Sequence, residues 1–129
     1  MYNLKQFYIG GQWVAPAKEG SIIDIVNPAT EAVIGKLAMG SAEDVERAVD
    51  AARAAFPAWS TTTREERAAV LGRIIELYRA RIDEISTAIR EEIGAPLSLS
   101  KARQAPMGLQ LLESAVEALR KMEFVTTIG

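Results

Sequence analysis

The hydrophobic pattern of this chain changes once, near Gly40, and the change divides the 129 residues into a strand-forming and a helix-forming part. Before Gly40, apolar residues come in short runs or alternate with polar ones, as they do in strands. After Gly40 they recur at spacings of three and four, as they do along one face of a helix. The pattern therefore predicts a pair of β-hairpins over residues 1–40 followed by three helices over residues 41–123, a mostly α segment.

The first predicted hairpin is centred on two glycines, Gly10 and Gly11. They separate the aromatic-rich segment Phe7–Ile9 from Gln12–Val14, and they can supply the positive φ angles that a tight hairpin turn requires. We expect two short antiparallel strands here.

The second predicted hairpin begins with the apolar run Ile22–Val26. The run ends at Asn27 and Pro28, because proline lacks a hydrogen-bond donor and biases the residue before it toward an extended or turn conformation. Residues 32–38 then fit a partner strand. The two hairpins together predict a small antiparallel unit.

The first predicted helix starts with Ser41 as its N-cap, with Asp44 three residues later, and runs up to Pro57. A second helix of about 30 residues, about 45 Å long at 1.5 Å per residue, follows a capping box formed by Thr63 and Glu66. Gly94 fits its C-terminal cap. The first helix has one apolar stripe, made of Val45, Ala48, Val49, Ala52 and Phe56.

The third predicted helix lies within residues 98–122. Proline and glycine disfavour a helix interior, so Pro106 and Gly108 should start or kink it. Residues 124–129 resemble the start of a strand that is cut short. We interpret the large residues Trp13, Phe56, Tyr78 and Met122 as packing residues rather than ligand contacts.

The composition limits the function classes open to this chain. With 49% hydrophobic and 25% charged residues it is typical of a folded protein, and its net charge of -2 argues against a nucleic-acid partner or a polybasic membrane contact. No run approaches the about 20 apolar residues of a membrane span, and the first residues lack the apolar core of a secretory signal. We therefore expect a cytoplasmic protein with no membrane partner.

The sequence contains neither cysteine nor histidine. Those residues would supply a thiol nucleophile, the commonest general base and the ligands of tetrahedral zinc sites. The glycines also never fall at the spacings of the common nucleotide-binding loops. We predict no catalytic residue and no cofactor site in this chain alone.

The adjacent carboxylates Glu91 and Glu92 are unusual, because they fall in the last turn of the long predicted helix. The helix dipole disfavours negative charge there by about 0.3–1 kcal/mol. Two explanations remain open. Either solvent or a nearby arginine such as Arg90 compensates, or a cation is held there by a carboxylate and backbone oxygens.

Five stretches, taken in their order and spacing, resemble the N-terminal portion of the NAD(P)-dependent aldehyde dehydrogenase superfamily. Each stretch is weak alone, but together they extend over essentially the whole chain. The stretches are residues 7–14 (FYIGGQWV), 25–35 (IVNPATEAVIG), 44–59, 63–67 (TREER) and 91–96 (EEIGAP).

The resemblance implies an α/β enzyme of which this chain is about the first quarter. Residues 41–123 would be helices that pack on the nucleotide-binding domain. The implied reaction oxidises an aldehyde to a carboxylic acid with NAD or NADP, through a cysteine thiolate and a water-activating glutamate that lie outside this chain. The implied partners are the aldehyde substrate and, for the protein chain, further copies of itself or the missing dehydrogenase portion.

The resemblance also implies roles for three residues. In some family members the backbone at the position of Val26 and an acid at the position of Glu92 hold a monovalent cation. Counting without gaps from Gly94 places one wall residue of the substrate entrance at Met107. The alternative for Met107 is ordinary core packing.

Two function hypotheses follow. In the first, the chain is the N-terminal part of an aldehyde dehydrogenase and is inactive alone. In the second, it is a free-standing, non-catalytic module that binds a partner through the apolar faces of its helices. The identity of the aldehyde, the choice between NAD and NADP and the oligomeric state all depend on residues outside the sequence.

Overall fold

The computed structural model describes residues 1–128, which form two compact units. The first unit comprises residues 1–61 and 91–94, and the second comprises residues 62–90 together with the chain from residue 95 onward. The elements, in chain order, are β1 (Tyr2–Leu4), β2 (Phe7–Ile9), β3 (Gln12–Val14), β4 (Ile22–Val26), β5 (Val33–Ala38), α1 (Ala42–Ser60), α2 (Arg64–Ala80), α3 (Ile82–Ile93), α4 (Leu97–Leu99), a π-helical turn (Ser100–Gln104) and α5 (Ala105–Lys121).

Both predicted hairpins are present. Strands β2 and β3 pair antiparallel, and the two glycines between them have φ angles of 59° and 82°, as a tight turn requires. Strands β4 and β5 also pair antiparallel, with an irregularity between Ile25 and Val26. Strand β5 begins at Val33, one residue later than predicted.

The expectation of a purely antiparallel unit was wrong, because β1 pairs parallel with β5 and gives a sheet of order β1-β5-β4. Three residues are too few to show an alternating pattern, so the sequence gives no signal for β1. The pairing depends on Gly35, where a Cβ would lie 2.7 Å from the Cβ of Tyr2.

Helix α1 begins as predicted. The Ser41 hydroxyl accepts the Asp44 backbone N–H at 3.3 Å, and an Asp44 carboxylate oxygen accepts the Ser41 N–H at 2.9 Å. The helix continues three residues past Pro57, however, where we expected it to stop. The Ser60 hydroxyl donates to the carbonyl of Pro57 at 3.0 Å, and the Thr61 hydroxyl donates to that of Ala58, so side chains satisfy the carbonyls of this last turn.

The apolar stripe of α1 is only partly covered by the described residues. Val45 and Phe56 remain 61% and 65% exposed, and Val49 is also exposed. Trp13 and Met122, which we interpreted as packing residues, are exposed as well. These residues are not core residues of the described chain, although the Trp13 ring contacts that of Tyr8 at 5.3 Å between centroids. Periodicity predicts which face is apolar but does not show what covers it.

The second predicted helix is divided in two. Arg81, with φ -113° and ψ 15°, ends α2, and α3 follows directly. The sequence pattern did not reveal this break, since the apolar spacing from Tyr78 to Ile82 and Ile85 continues across it. The start of α2 agrees with the prediction, because Thr63 and Glu66 form the capping box.

The third predicted helix starts in three steps. One turn, α4, leads into the π-helical turn and then into α5, which has Pro106 in its first turn. This agrees with the prediction that Pro106 starts or kinks the helix. The strand predicted for residues 124–129 is absent from residues 124–128, which have no neighbouring strand to pair with, and Gly129 lies outside the described residues. None of the helices within residues 1–128 is long and apolar enough to cross a membrane.

Candidate functional sites

The C-terminal turn of α3 carries Glu91 and Glu92, the two carboxylates at the negative end of the helix. The Tyr2 hydroxyl on β1 donates a hydrogen bond to a Glu91 carboxylate oxygen at 2.6 Å. This hydrogen bond raises the pKa of Tyr2 above the ordinary tyrosine value, and burial and the negative charges of Glu91 and Glu92 act in the same direction. A tyrosine from the N-terminal strand therefore supports one of the two carboxylates, a partner that neither sequence-based explanation named.

The turn that follows Val26 is built around the side chain of Asn27, which is buried. Its Oδ1 accepts hydrogen bonds from the backbone N–H groups of Ala29 at 2.9 Å and Thr30 at 3.2 Å. The backbone N–H of Asn27 donates to the Ala32 carbonyl at 2.9 Å. An asparagine suits this position because its side chain hydrogen-bonds the backbone two and three residues on. The turn fixes the backbone directly after the predicted cation ligand Val26.

Gly94 joins this turn to the end of α3. It has φ 72°, and a Cβ there would lie 3.0 Å from the Pro28 Cγ and 3.2 Å from the Ala29 nitrogen. The close approach brings the segments that carry Val26 and Glu92 together in the first unit, with both residues exposed. Among residues 1–128 there is no cluster of three or more side chains from Asp, Glu, His and Cys suited to a metal. A cation here would therefore depend on one carboxylate and backbone oxygens.

The third predicted site residue, Met107, lies in the second unit, in the first turn of α5. It is 53% exposed, so it does not belong to the core of the described chain, the alternative considered for it. Leu111, one helical turn later, is 66% exposed. The two residues form an exposed apolar pair at i and i+4.

Sequence reasoning treated Tyr78 only as a packing residue and missed its polar contact. Its hydroxyl donates to the Ala105 carbonyl at 2.9 Å. A Cβ at Gly108 would lie 2.4 Å from the same hydroxyl oxygen, so the tyrosine occupies the space beside this glycine. The available signal was a glycine on the apolar face of the third predicted helix, which indicates close approach of another group.

A buried carboxylate, Asp44, serves the fold rather than a reaction. It accepts hydrogen bonds from the Ser41 N–H, the Ser41 hydroxyl and the Ala17 N–H. These bonds, led by the one from the Ser41 backbone, hold the pKa of Asp44 below its ordinary value. An acid that is fully hydrogen-bonded in its charged form is a cap, not a general acid.

Comparisons with known proteins show which protein family this chain resembles. Residues 13–128 match the sequence profile of the aldehyde dehydrogenase family. A 3-succinoylsemialdehyde-pyridine dehydrogenase from Pseudomonas is 41% identical over 130 residues, which cover 100% of this chain and 27% of that enzyme.

Solved structures give the same result. Aldehyde dehydrogenase C from Pseudomonas syringae, crystallised as a variant with NAD+ and octanal, matches 97% of this chain and 26% of its own length, with a TM-score of 0.92 and 46% identity. A Mycobacterium tuberculosis aldehyde dehydrogenase with NAD+ matches 98% of this chain and 26% of its own length, with a TM-score of 0.89 and 30% identity.

The matched residues thus span about a quarter of the length of these relatives. The observed order of short strands and then helices agrees with the predicted α/β dehydrogenase segment. The comparisons do not favour the second hypothesis, a free-standing interaction module. The chain belongs to the aldehyde dehydrogenase family and corresponds to the N-terminal part of its members.

Proposed function

We propose that this chain supplies the N-terminal part of an NAD(P)-dependent enzyme that oxidises an aldehyde to a carboxylic acid. The observation that carries the proposal is the match of nearly the whole chain, at 46% identity and a TM-score of 0.92, to an aldehyde dehydrogenase with NAD+ and octanal bound. Because the chain spans about a quarter of its relatives, it acts here as a scaffold for chemistry carried out elsewhere.

The residues present do not fit the cofactor or the nucleophile. The sequence has no cysteine for a thiolate, no histidine, and no glycine-rich loop to hold a dinucleotide phosphate. In this proposal the nicotinamide cofactor, which would accept the hydride when bound, is held by residues outside the chain.

The exposed surface supports a covering partner. Large apolar side chains on α1 remain exposed, among them Val45 and Phe56. An uncovered apolar face of this kind marks an interface. We assign it to the remaining portion of the dehydrogenase, and we expect the assembled enzyme to be a homo-oligomer in the cytoplasm.

Two local assignments belong to the same proposal. Met107 forms part of the wall of the substrate entrance, an assignment supported by its exposure at the start of α5. The carbonyl of Val26 and the carboxylate of Glu92 take part in holding a monovalent cation. This assignment is supported by the Tyr2 contact, which engages Glu91 and leaves Glu92 as the neighbouring acid.

A chimera tests the proposed function. The 129 residues replace the matching N-terminal segment of the Pseudomonas syringae enzyme, whose remaining portion keeps its native sequence, and NADH formation from octanal is followed by absorbance. We expect turnover by the chimera and none by the 129-residue chain alone. A folded chimera that binds NAD+ but produces no NADH would contradict the proposal. The unaltered parent enzyme is the control.

A further inference from the structure

We propose that Tyr78 is a positioning residue that determines which way Met107 faces, and that it thereby shapes the wall of the substrate entrance for aldehydes with an apolar tail. This inference rests on the proposed function, which places Met107 in that wall. It adds Tyr78, a residue of a different helix, α2, that is not proposed to touch the substrate.

The contact between α2 and the start of α5 is close and directional. The Tyr78 hydroxyl donates to the carbonyl of Ala105, a residue with no exposed surface. The ring follows the hydroxyl into the gap beside Gly108, where a Cβ would lie 2.4 Å from Oη and 3.0 Å from Cζ. This hydrogen bond and the lack of space beside Gly108 together constrain the position and the rotation of the first turn of α5.

The rotation decides the direction of Met107. Successive residues of an α-helix are separated by about 100° around its axis. Gly108 faces Tyr78, so the preceding residue Met107 points to the side of the helix, away from the buried stripe that includes Ala105 and Val116. Leu111 lies one turn further along the same exposed side, and both residues are more than half exposed.

The backbone at the start of α5 is helical but irregular. The π-helical turn places the Ala105 N–H on the carbonyl of Ser100, five residues back, instead of the usual four. Pro106 has no N–H with which to continue the ladder. The ladder of hydrogen bonds four residues apart is thus irregular at this point, and the Tyr78 contact adds a constraint from α2 on the first turn of α5.

The wall that results has a definite chemistry. Met107 and Leu111 present a thioether and a branched alkyl group to solvent, separated by one helical turn. Contact between such a pair and a hydrocarbon tail is favourable, because it buries apolar surface. The pair offers no hydrogen-bonding or charged group to a charged substrate tail. The inferred substrate class is therefore an aldehyde whose carbonyl is joined to an apolar chain of several carbons.

The kinetic test uses three variants in the chimera. Tyr78→Phe keeps the ring and removes only the hydrogen bond, so the fold is retained. Tyr8→Phe makes the same chemical change at a tyrosine that is 63% exposed and serves as the matched control. Met107→Ala tests the wall itself. We expect Tyr78→Phe to raise the KM for octanal by up to about fivefold, the limit reached if the whole free energy of one hydrogen bond, about 1 kcal/mol, is lost from substrate binding. The kcat, the KM for NAD+ and the KM for acetaldehyde should not change.

The variants separate the two proposals. If Met107→Ala leaves the KM for octanal unchanged, the assignment of Met107 to the entrance fails. If Met107→Ala raises that KM and Tyr78→Phe does not, the positioning role of Tyr78 alone is overturned. A Tyr78→Phe variant that only loses thermal stability, with octanal and acetaldehyde affected equally, also overturns it, because such a result describes a structural role.

A second readout does not depend on turnover. The full 129-residue chain is oxidised with hydrogen peroxide, and sulfoxide formation at Met107 is measured by peptide mass spectrometry against Met39, which is 45% exposed and serves as an internal reference. Tyr78→Phe should raise the Met107-to-Met39 rate ratio, because the first turn of α5 loses a constraint and Met107 becomes more accessible to the oxidant. An unchanged ratio would overturn the inference.

Discussion

At the scale of single residues, the hydrogen bond from Tyr2 to Glu91 provides a sensitive test of the first unit. Tyr2→Phe removes the hydroxyl that supports a carboxylate at the negative end of α3. We expect the free energy of unfolding to fall by about 0.5–1 kcal/mol, measured by urea denaturation of the chain at pH 7. Tyr8→Phe should have no measurable effect, and equal losses for the two variants would contradict the assignment.

The same hydrogen bond predicts a pH dependence. The pKa of Tyr2 is raised in the folded state, so its contribution to stability is fully present below the ordinary tyrosine pKa of about 10 and is lost as the pH rises through the folded-state value. The difference between the unaltered chain and Tyr2→Phe should therefore stay constant from pH 6 to pH 9 and shrink above about pH 10. A difference that is already lost at pH 8 would contradict this account.

Glu92 tests the proposed cation site. Glu92→Gln removes the charge without changing the size of the side chain, so the thermal stability of the chimera should respond less to sodium or potassium ions. Thermal melting in NaCl, KCl and tetramethylammonium chloride at equal ionic strength separates binding from screening. Glu91→Gln is the matched control, because Glu91 is engaged by Tyr2. If Glu92→Gln leaves the salt response unchanged, the cation proposal fails.

At the scale of elements, two glycines in helices have opposite surroundings. A Cβ at Gly108 would collide with Tyr78, whereas a Cβ at Gly72 in α2 would meet nothing within 4 Å. Gly72→Ala should stabilise the chain by about 0.5–1 kcal/mol, the difference in helix propensity. Gly108→Ala should destabilise it despite the same gain in propensity. Denaturant titration of both variants measures the contrast, and two stabilising substitutions would show that α2 and α5 do not approach as described.

The elements that could be predicted from sequence are those set by local chemistry. The glycines at 10 and 11, the caps at Ser41 and Thr63 and the left-handed Gly94 each act on their immediate neighbours, and the structure has all of them. Strand β1 could not be predicted because its partner β5 lies some 30 residues away along the chain. The break at Arg81 was hidden by an apolar spacing that continues across it.

The candidate sites also combine features that local sequence could suggest with contacts that it could not. The resemblance suggested Val26, Glu92 and Met107 by position, and they remain predictions, but it could not show which residues pack around these positions. Tyr2 reaches Glu91 across 89 positions of sequence and Tyr78 reaches Ala105 across 27. Such contacts depend on tertiary packing, for which a single sequence without periodic signal offers no direct evidence.

At the scale of the whole molecule, the apolar stripe of α1 predicts how the separate chain behaves. Its exposed valines, Val45 and Val49, are only partly covered by residues 1–128. The 129-residue chain should therefore self-associate, and the double substitution Val45→Ser and Val49→Ser should reduce association without unfolding the chain. Sedimentation velocity measures the first effect and circular dichroism the second. Ile75→Ser, at a buried position, should unfold the second unit instead. A chain that is monomeric at high concentration would contradict this view of α1.

The central claim, that this chain works as the N-terminal part of an aldehyde dehydrogenase, is tested most directly by the intact mass of the native polypeptide isolated from its source cells. The matched enzymes are about four times as long as the chain, so the account predicts a mass about four times 14.0 kDa. A native polypeptide of 14.0 kDa would contradict it, because the chain would then lack a covalently joined dehydrogenase portion to support.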